Sequence, residues 1–114
     1  MIEEFTAIPG DSKNEIGKRL IDGIIVLDEP KHIQTGGKFD FTGKDIIVLQ
    51  TKKERLGMYL MGQAFFSREI MKRYNPNSIK TVAICGKRDR EMEAICSRFG
   101  IDVAVIDEAQ QTDL

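Results

Sequence analysis

The sequence predicts a single α/β domain built on a mixed β-sheet, and three features of the chain lead to this fold class. Four consecutive apolar residues at 46–49 are typical of a buried strand. Residues 54–74 repeat apolar side chains every three to four positions, as a long helix does. Two short apolar runs, 81–85 and 101–106, flank an amphipathic stretch and predict a parallel β-α-β unit with a right-handed crossover.

The size and composition of the chain fit one water-soluble domain. A length of 114 residues is enough for one core, and 31% charged residues suit a globular protein. No run of 18 apolar residues occurs, so we expect no membrane contact. The acidic N-terminus lacks the basic and apolar regions of a signal peptide, which predicts a cytoplasmic location. We divide the chain into an N-terminal arm at 1–10, one α/β domain at 11–107 and a flexible tail at 108–114.

The chain before the main strand predicts a short helix and then antiparallel strands. Ser12 and Glu15 have the spacing of a capping box, so we expect a helix that continues to Leu20. Residues 22–28 place apolar side chains between two aspartates and predict a strand. Glycine-containing turn signals separate this strand from the main one, so we expect residues 22–51 to form an antiparallel meander.

The long helix is expected to begin at residues 53–54 and to end before residues 75–77, which read Asn-Pro-Asn. It contains Gly57 and Gly62, each of which costs about 1 kcal/mol relative to Ala inside a helix. We therefore expect its backbone to pack closely on the sheet or on a second subunit, and we predict a homodimer. Three large apolar residues of this helix would form a dimer patch if exposed and part of the core if buried: Met61, Phe65 and Phe66.

The charge is unevenly distributed along the chain. Residues 44–90 carry eleven Lys and Arg against four Asp and Glu, a net charge of +7, whereas the whole chain has a net charge of −1. A basic middle region between acidic ends suggests a face that binds anions. A solvated helix surface with salt bridges explains the same pattern equally well.

Cysteine and histidine are too few for a structural metal site of the usual kind. Cys85 and Cys96 have no zinc-binding spacing, and His32 is the only histidine of the chain. We expect both thiols to be reduced and His32 to be a solvated loop residue.

Gln50 and Lys52 form the first candidate site. Side chains alternate along a strand, so both continue the face of Ile46 and Val48, at a separation of roughly 6 to 7 Å. An amide and an ammonium group that extend an apolar stripe at the end of a strand predict a functional site there.

These residues, in this order, resemble the PD-(D/E)XK nuclease superfamily, and most closely its small RecB-type nuclease-like domains. The segment from Asp45 to Lys52 is similar to the strand that carries the family's E-x-K motif, and Gln63 is similar to the first residue of its Q-x-x-x-Y element. Asp22 resembles the metal-binding aspartate, and Glu15 resembles the carboxylate of the first helix. The resemblance covers about residues 11–85 and implies a restriction-endonuclease-like fold, with helices on both faces of the sheet.

The sequence departs from the family pattern at two positions. Gln50 stands where the family has an acid, and Ser67 stands where it has a tyrosine. Mg²⁺ prefers anionic oxygen ligands, so a neutral amide would bind it more weakly. Asp40 and Asp45 are rival carboxylates, and Asp45 is the weaker because it faces the opposite side of the strand from Gln50.

The chemistry that the resemblance implies is hydrolysis of a phosphodiester bond with one Mg²⁺ or Mn²⁺. Asp22, Gln50 and a carbonyl near Thr51 would hold the metal, and Glu15 would bind it through water. Lys52 would position or deprotonate the attacking water. Further residues are expected to contact the nucleic acid: Lys53, Arg55, Gln63 and Arg68.

Three functional hypotheses follow. The first is a metal-dependent nuclease that acts on DNA or RNA. The second is a catalytically inactive nuclease-fold module that binds nucleic acid or protein. The third is a Rossmann-like small-molecule binder with a pocket near Gly86, and it requires a fully parallel sheet. Non-catalytic roles also remain open for single residues, such as a helix-capping role for Glu15, a turn role for Asp22 and satisfaction of a buried backbone group for Gln63.

Overall fold

The computed structural model describes residues 1–29 and 33–106. His32 and the predicted tail at 108–114 lie outside the described residues. The described chain forms six strands, two α-helices and two 3₁₀ turns, at Ser12–Asn14 and Lys72–Tyr74. The main elements are β1 (Ile2–Ile8), β2 (Arg19–Val26), β3 (Gln34–Thr35), β4 (Asp45–Arg55), α1 (Met58–Met71), β5 (Ser78–Lys87), α2 (Arg90–Arg98) and β6 (Ile101–Val105).

All six strands belong to one mixed sheet with the order β3-β1-β2-β4-β5-β6. β2 pairs antiparallel with both β1 and β4, whereas β4, β5 and β6 are parallel to one another. This confirms the predicted α/β class, the mixed sheet and the parallel β-α-β unit. The meander predicted over residues 22–51 is only partly correct, because β2 and β4 pair antiparallel but β3, between them in the chain, pairs parallel with β1 at the edge of the sheet. The mixed sheet also contradicts the Rossmann-like hypothesis, which required a fully parallel sheet.

The N-terminal residues are not the arm that we predicted, because residues 2–8 form strand β1. Its buried side chains are Ile2, Phe5 and Ala7. Glu4 lies between them with a φ of 52°. This left-handed residue shifts the side-chain alternation by one position, so the sequence lacks the period of two that indicates a strand.

The predicted helix over residues 12–20 is wrong. Only Ser12–Asn14 forms a single 3₁₀ turn, which Asp11 caps through its side chain, and the capping box of Ser12 with Glu15 does not form. Glu15 has a left-handed φ of 59°, and Asp11 and Ile16 exchange two backbone hydrogen bonds that close the loop. A helix here would have had no apolar face to bury, since every residue of this stretch is exposed.

The second half of the chain forms the predicted elements, but β4 continues to Arg55 and pairs there with β5, so α1 begins at Met58 and not at residues 53–54. α1 continues into the 3₁₀ turn at Lys72–Tyr74 and ends there, because Asn75 is left-handed and Pro76 follows. Asp89 caps α2 by accepting hydrogen bonds from the backbone N–H groups of Glu91 and Met92. Neither helix of the described chain is long and apolar enough to span a membrane.

Both helices pack on one face of the sheet, which corrects the prediction of helices on both faces. α1 buries Leu60 and Ala64 in the same cluster as Ala83 of β5 and Cys96 of α2. The physical reason is the strand order. β4, β5 and β6 succeed each other in one direction, and two right-handed crossovers in one direction place both helices on the same side.

The opposite face of the sheet carries no helix among the described residues. Because side chains alternate along a strand, this face holds the residues between those of the helix-covered face. Five of its aliphatic side chains are half-buried: Ile25, Ile47, Leu49, Val82 and Ile84.

Gly86 lies where β4 and β5 approach each other most closely. A Cβ at this position would lie 1.8 Å from the carbonyl oxygen of Lys53, beside the irregularity in pairing between Lys52 and Arg55. Glycine is therefore required here by the close approach of two backbones. This gives Gly86 a structural role in place of the ligand pocket that the third hypothesis assigned to it.

Candidate functional site

The candidate site begins where β2 and β4 separate. Their backbones are paired from Val26 and Ile46 as far as Gly23 and Leu49. At the next position, Asp22 and Gln50, the two strands are joined by side-chain hydrogen bonds and no longer by backbone pairing. The Gln50 Oε1 accepts a hydrogen bond from the Asp22 N–H at 3.4 Å, and the Asp22 Oδ2 accepts one from the Thr51 N–H at 2.9 Å.

Gln50 connects three elements at this point. Its side chain is buried, with 2% exposure, and its Nε2 donates to the Ser67 Oγ on α1 at 2.6 Å. The amide therefore joins β2, β4 and α1, with both its oxygen and its nitrogen in use. A Gln suits this position because one amide supplies an acceptor and a donor without a charge to bury.

A cleft of about 750 Å³ opens between the start of β2 and helix α1. Lys18 and Arg19 line one wall, and Asp22 and Gln50 line it at the point of strand separation. The α1 wall presents aromatic and polar side chains, among them Tyr59, Gln63 and Phe66. The structure thus brings together three of the residues that the sequence predicted for the site: Asp22, Gln50 and Gln63.

Cations outnumber acids around this cleft. Lys18 and Arg19 line it directly, and the Lys52 ammonium lies 4.5 Å from the ring centroid of Tyr59, which is another lining residue. Within residues 1–29 and 33–106, none of these three cations forms a salt bridge. Asp22 is the only acid among the described lining residues, and it already accepts the Thr51 N–H. The cleft is therefore suited to an anionic ligand.

Large apolar side chains stand exposed on the α1 side of the cleft. Met58, Tyr59 and Phe66 are 81%, 67% and 63% exposed. The Phe66 ring is therefore accessible to a ligand, and the Tyr59 ring is accessible on the side that the Lys52 ammonium does not cover. Together with the cations on the opposite wall, the rings give the cleft one positively charged side and one side on which flat groups can stack.

Four predicted site residues lie elsewhere. Glu15 is in the loop before β2, and neither it nor Lys53 lines the cleft. The Arg55 guanidinium donates to the Arg88 carbonyl at 3.0 Å. That of Arg68 donates to the Phe99 carbonyl at 2.7 Å and lies over the ring of Phe65, on the α2 side of α1.

The described residues include no group of three or more His, Cys, Asp or Glu that could hold a metal ion. Asp22 supplies a single carboxylate, and the amide of Gln50 is occupied by the Asp22 N–H and by Ser67. Asp22 and Gln50 alone do not make up the set of oxygen ligands that Mg²⁺ requires.

The rival carboxylates have local partners of their own. Hydrogen bonds from Ser78 and Asn77 lower the pKa of Asp45, and the hydrogen bond from the Thr42 backbone lowers that of Asp40. Neither residue lines the cleft. Their hydrogen bonds hold turns and strand ends in place, which accounts for both residues without a ligand.

Sequence reasoning missed four residues of the cleft: Lys18, Arg19, Tyr59 and Phe66. The predicted helix over residues 12–20 concealed the first two, although a Lys-Arg pair directly before a strand was the available signal. The exposure of Tyr59 had no signal, because apolar residues in an amphipathic helix normally face the core, and exposure of Phe66 was considered only as part of a dimer patch.

Comparison of the chain with models of protein families, with curated proteins and with solved structures found no significant match.

Proposed function

We propose that the chain is a nucleic-acid-binding module whose cleft holds a single strand. The observation that supports this proposal is that one cleft has a cationic wall and an aromatic wall. The cations Lys18 and Arg19 stand on one wall, and the exposed rings of Tyr59 and Phe66 stand on the other. This combination suits a ligand that alternates phosphates with flat bases.

The two walls would contribute differently to binding. Cations that contact phosphates release condensed counterions, so their contribution falls as salt rises. A base stacked on an aromatic side chain contributes about 1–3 kcal/mol and depends little on sequence. Binding by this cleft should therefore be sensitive to salt and tolerant of base sequence.

The proposal is tested by the anisotropy of fluorescein-labelled single-stranded DNA, single-stranded RNA and duplex DNA over a range of salt concentrations. In the double variant Lys18→Gln/Arg19→Gln, we expect weaker binding of single strands and a salt slope reduced by about 2, one for each lost phosphate contact. The matched control is Lys38→Gln/Lys80→Gln, which removes the same charge outside the cleft. Absence of binding by the wild type at low salt, or equal loss in both double variants, would overturn the proposal.

Metal-dependent cleavage is the second candidate, and the contact between Asp22 and Gln50 favours it. The nuclease hypothesis required Asp22, Gln50 and Lys52 to converge in one cleft with a basic rim. Asp22 and Gln50 meet in the cleft, whereas Lys52 does not line it and lies over the ring of Tyr59. Against it stands the single carboxylate described above. Nuclease activity with Mg²⁺ or Mn²⁺ therefore remains a prediction to be tested.

Calorimetric titration with Mn²⁺ separates the two candidates. Micromolar binding by the wild type that is lost in Asp22→Ala would support a metal site. The control is Asp22→Asn, which keeps an oxygen for the Thr51 N–H but removes the charge, so it distinguishes loss of a ligand from loss of the strand junction. If the folded wild type binds no Mn²⁺ and leaves plasmid and single-stranded substrates intact, the nuclease hypothesis fails, while the binding proposal is unaffected.

A further inference from the structure

Helix α1 carries an exposed stripe that the strand-binding proposal leaves largely unexplained. Met58, Gly62 and Phe66 follow one another at intervals of four residues, so they lie on one side of the helix. Met58 and Phe66 are the two ends of this stripe and are largely exposed. Residues 56–67 contain no charged side chain, in a chain that is 31% charged. A helix face that only met water would carry charges.

Gly62 is the informative residue of the stripe. A Cβ at this position would have no atom within 4 Å outside its own helix, so packing within the described chain does not require glycine here. The contrast with Gly86 is direct, since a Cβ there would collide with backbone. Glycine inside a helix costs about 1 kcal/mol relative to Ala. Within the described chain, nothing makes the close approach at Gly62 that the sequence predicted, so a second subunit is the alternative that this prediction leaves.

A groove lies directly beside the stripe. It has a volume of about 330 Å³ and is lined by side chains from both helices, including Met61, Phe65, Ile95 and Phe99. Met58, Gly62 and Phe66 form its edge. A projecting stripe and an apolar groove therefore stand side by side on one surface, which is the arrangement that a self-complementary interface needs.

We propose that a second copy of this chain packs on the stripe, with two α1 helices crossing antiparallel at Gly62 about a two-fold axis. In this arrangement Met58 of one copy faces Phe66 of the partner subunit, because both lie four residues from the axis. A residue near a two-fold axis meets its own copy, so charged residues there would repel each other. The neutral stripe avoids this repulsion, and Gly62 allows the two backbones to approach.

The second copy would also change the cleft. Met58, Gly62 and Phe66 line the cleft as well as the groove. A partner seated on them would cover the Phe66 ring, so Tyr59 would be the ring that the dimer leaves accessible for stacking. This inference goes beyond the proposed function and does not depend on it, because it concerns the state of the protein without ligand.

Sedimentation velocity on ligand-free protein from 1 to 100 µM tests the proposal. We expect a dimer for the wild type and a monomer for Gly62→Gln and for Phe66→Lys. Gln favours helix over Gly, so a monomeric Gly62→Gln with an unchanged or raised melting temperature shows dissociation without unfolding. The control is Leu27→Lys, which alters another exposed apolar residue and should remain dimeric.

Three results would overturn the proposal: a wild type that stays monomeric at 100 µM, a dimer that persists in both stripe variants, or a dimer that only Leu27→Lys dissociates. The last result would place the interface elsewhere on the molecule. Since nucleic acid is absent from this measurement, failure here is distinct from failure of strand binding.

Discussion

The two sides of helix α1 differ in chemistry although they share a boundary. On one side the helix faces the start of β2 across a polar cleft with Lys18 and Arg19. On the other it faces α2 across a groove that is almost wholly apolar. Met58, Gly62 and Phe66 belong to both. Helix α1 therefore contributes the same neutral edge to the cleft and to the groove. What each can bind depends on the element across from the helix, which is β2 for the cleft and α2 for the groove.

The two sides of α1 are therefore suited to different kinds of partner. The cleft side has cations, hydrogen-bonding groups and accessible rings, which suit a charged ligand in water. The groove side has aliphatic and aromatic side chains and a glycine, which suit a tightly packed protein surface. If the proposals are correct, substitutions on the two sides should affect different measurements.

The largest expected effect comes from breaking the junction that forms the cleft. Gln50→Leu keeps the volume approximately but leaves the Asp22 N–H and the Ser67 hydroxyl without their partner. The Ser67 hydroxyl is buried, and leaving it unsatisfied costs about 1–3 kcal/mol, whereas Asp22 is exposed and water can replace the partner of its N–H. We therefore expect a loss of about 2 kcal/mol in the free energy of unfolding, measured by urea denaturation. The neighbouring Leu49→Gln on the open face is the control and should cost less. A loss below 1 kcal/mol for Gln50→Leu would show that the junction is not important for stability.

The next largest effect is on the affinity for single strands, which should depend on the cleft side of α1 and not on its groove side. Tyr59→Ala should weaken single-strand binding by about 5- to 150-fold, which corresponds to the loss of one stacked base at about 1–3 kcal/mol. Met61→Ala, on the groove side of the same helix, should leave the affinity unchanged. Anisotropy titrations of both variants at one salt concentration make the comparison. Equal losses in the two would mean that the cleft is not the binding site.

A smaller effect concerns the thiols beneath the groove. Burial raises the pKa of both Cys85 and Cys96, so the reactive thiolate is rarer than in an exposed cysteine. We expect an aromatic disulfide reagent to modify them slowly at pH 8 in the native protein and at once in urea. Fast modification of the native protein would show that the groove side opens readily, in contrast to the packing described here.

The smallest effect lies at a site that belongs to neither side. The Ser78 and Asn77 hydrogen bonds lower the pKa of Asp45 in the folded protein, so its contribution to stability is present above about pH 4 and is lost as pH falls through the folded pKa. Asp45→Asn should lower the melting temperature slightly at pH 7, and the difference from the wild type should shrink below pH 3. A difference that stays constant with pH would exclude this ionic contribution.

The sequence predicted the elements whose hydrophobic period is regular. The run that became β4, the long helix and the β5-α2-β6 unit all show a clear pattern, and each formed, although β4 extends to Arg55 and shortens the predicted helix at its start. Prediction failed where single residues adopt left-handed conformations. Glu4 and Glu15 have positive φ, which interrupts the side-chain alternation of β1 and prevents a helix after Ser12.

The candidate site was predicted in part for a similar reason. Asp22 and Gln50 meet because the antiparallel pairing of their strands was predicted correctly. Lys18 and Arg19 were missed because their segment was assigned to a helix. The placement of both helices on one face depends on the strand order, which we did not predict, and the resemblance to a nuclease fold implied helices on both faces.

The junction between Asp22 and Gln50 is a point at which the cleft could diverge during evolution. Where strands are joined by a regular backbone ladder, the hydrogen bonds set their spacing at about 4.8 Å, largely independently of the side chains. Here the last link between two strands is made of side chains, and the Gln50 amide also ties them to α1. Substitutions at positions 22 and 50 can therefore alter how β2, β4 and α1 are joined at the cleft while the paired part of the sheet stays the same.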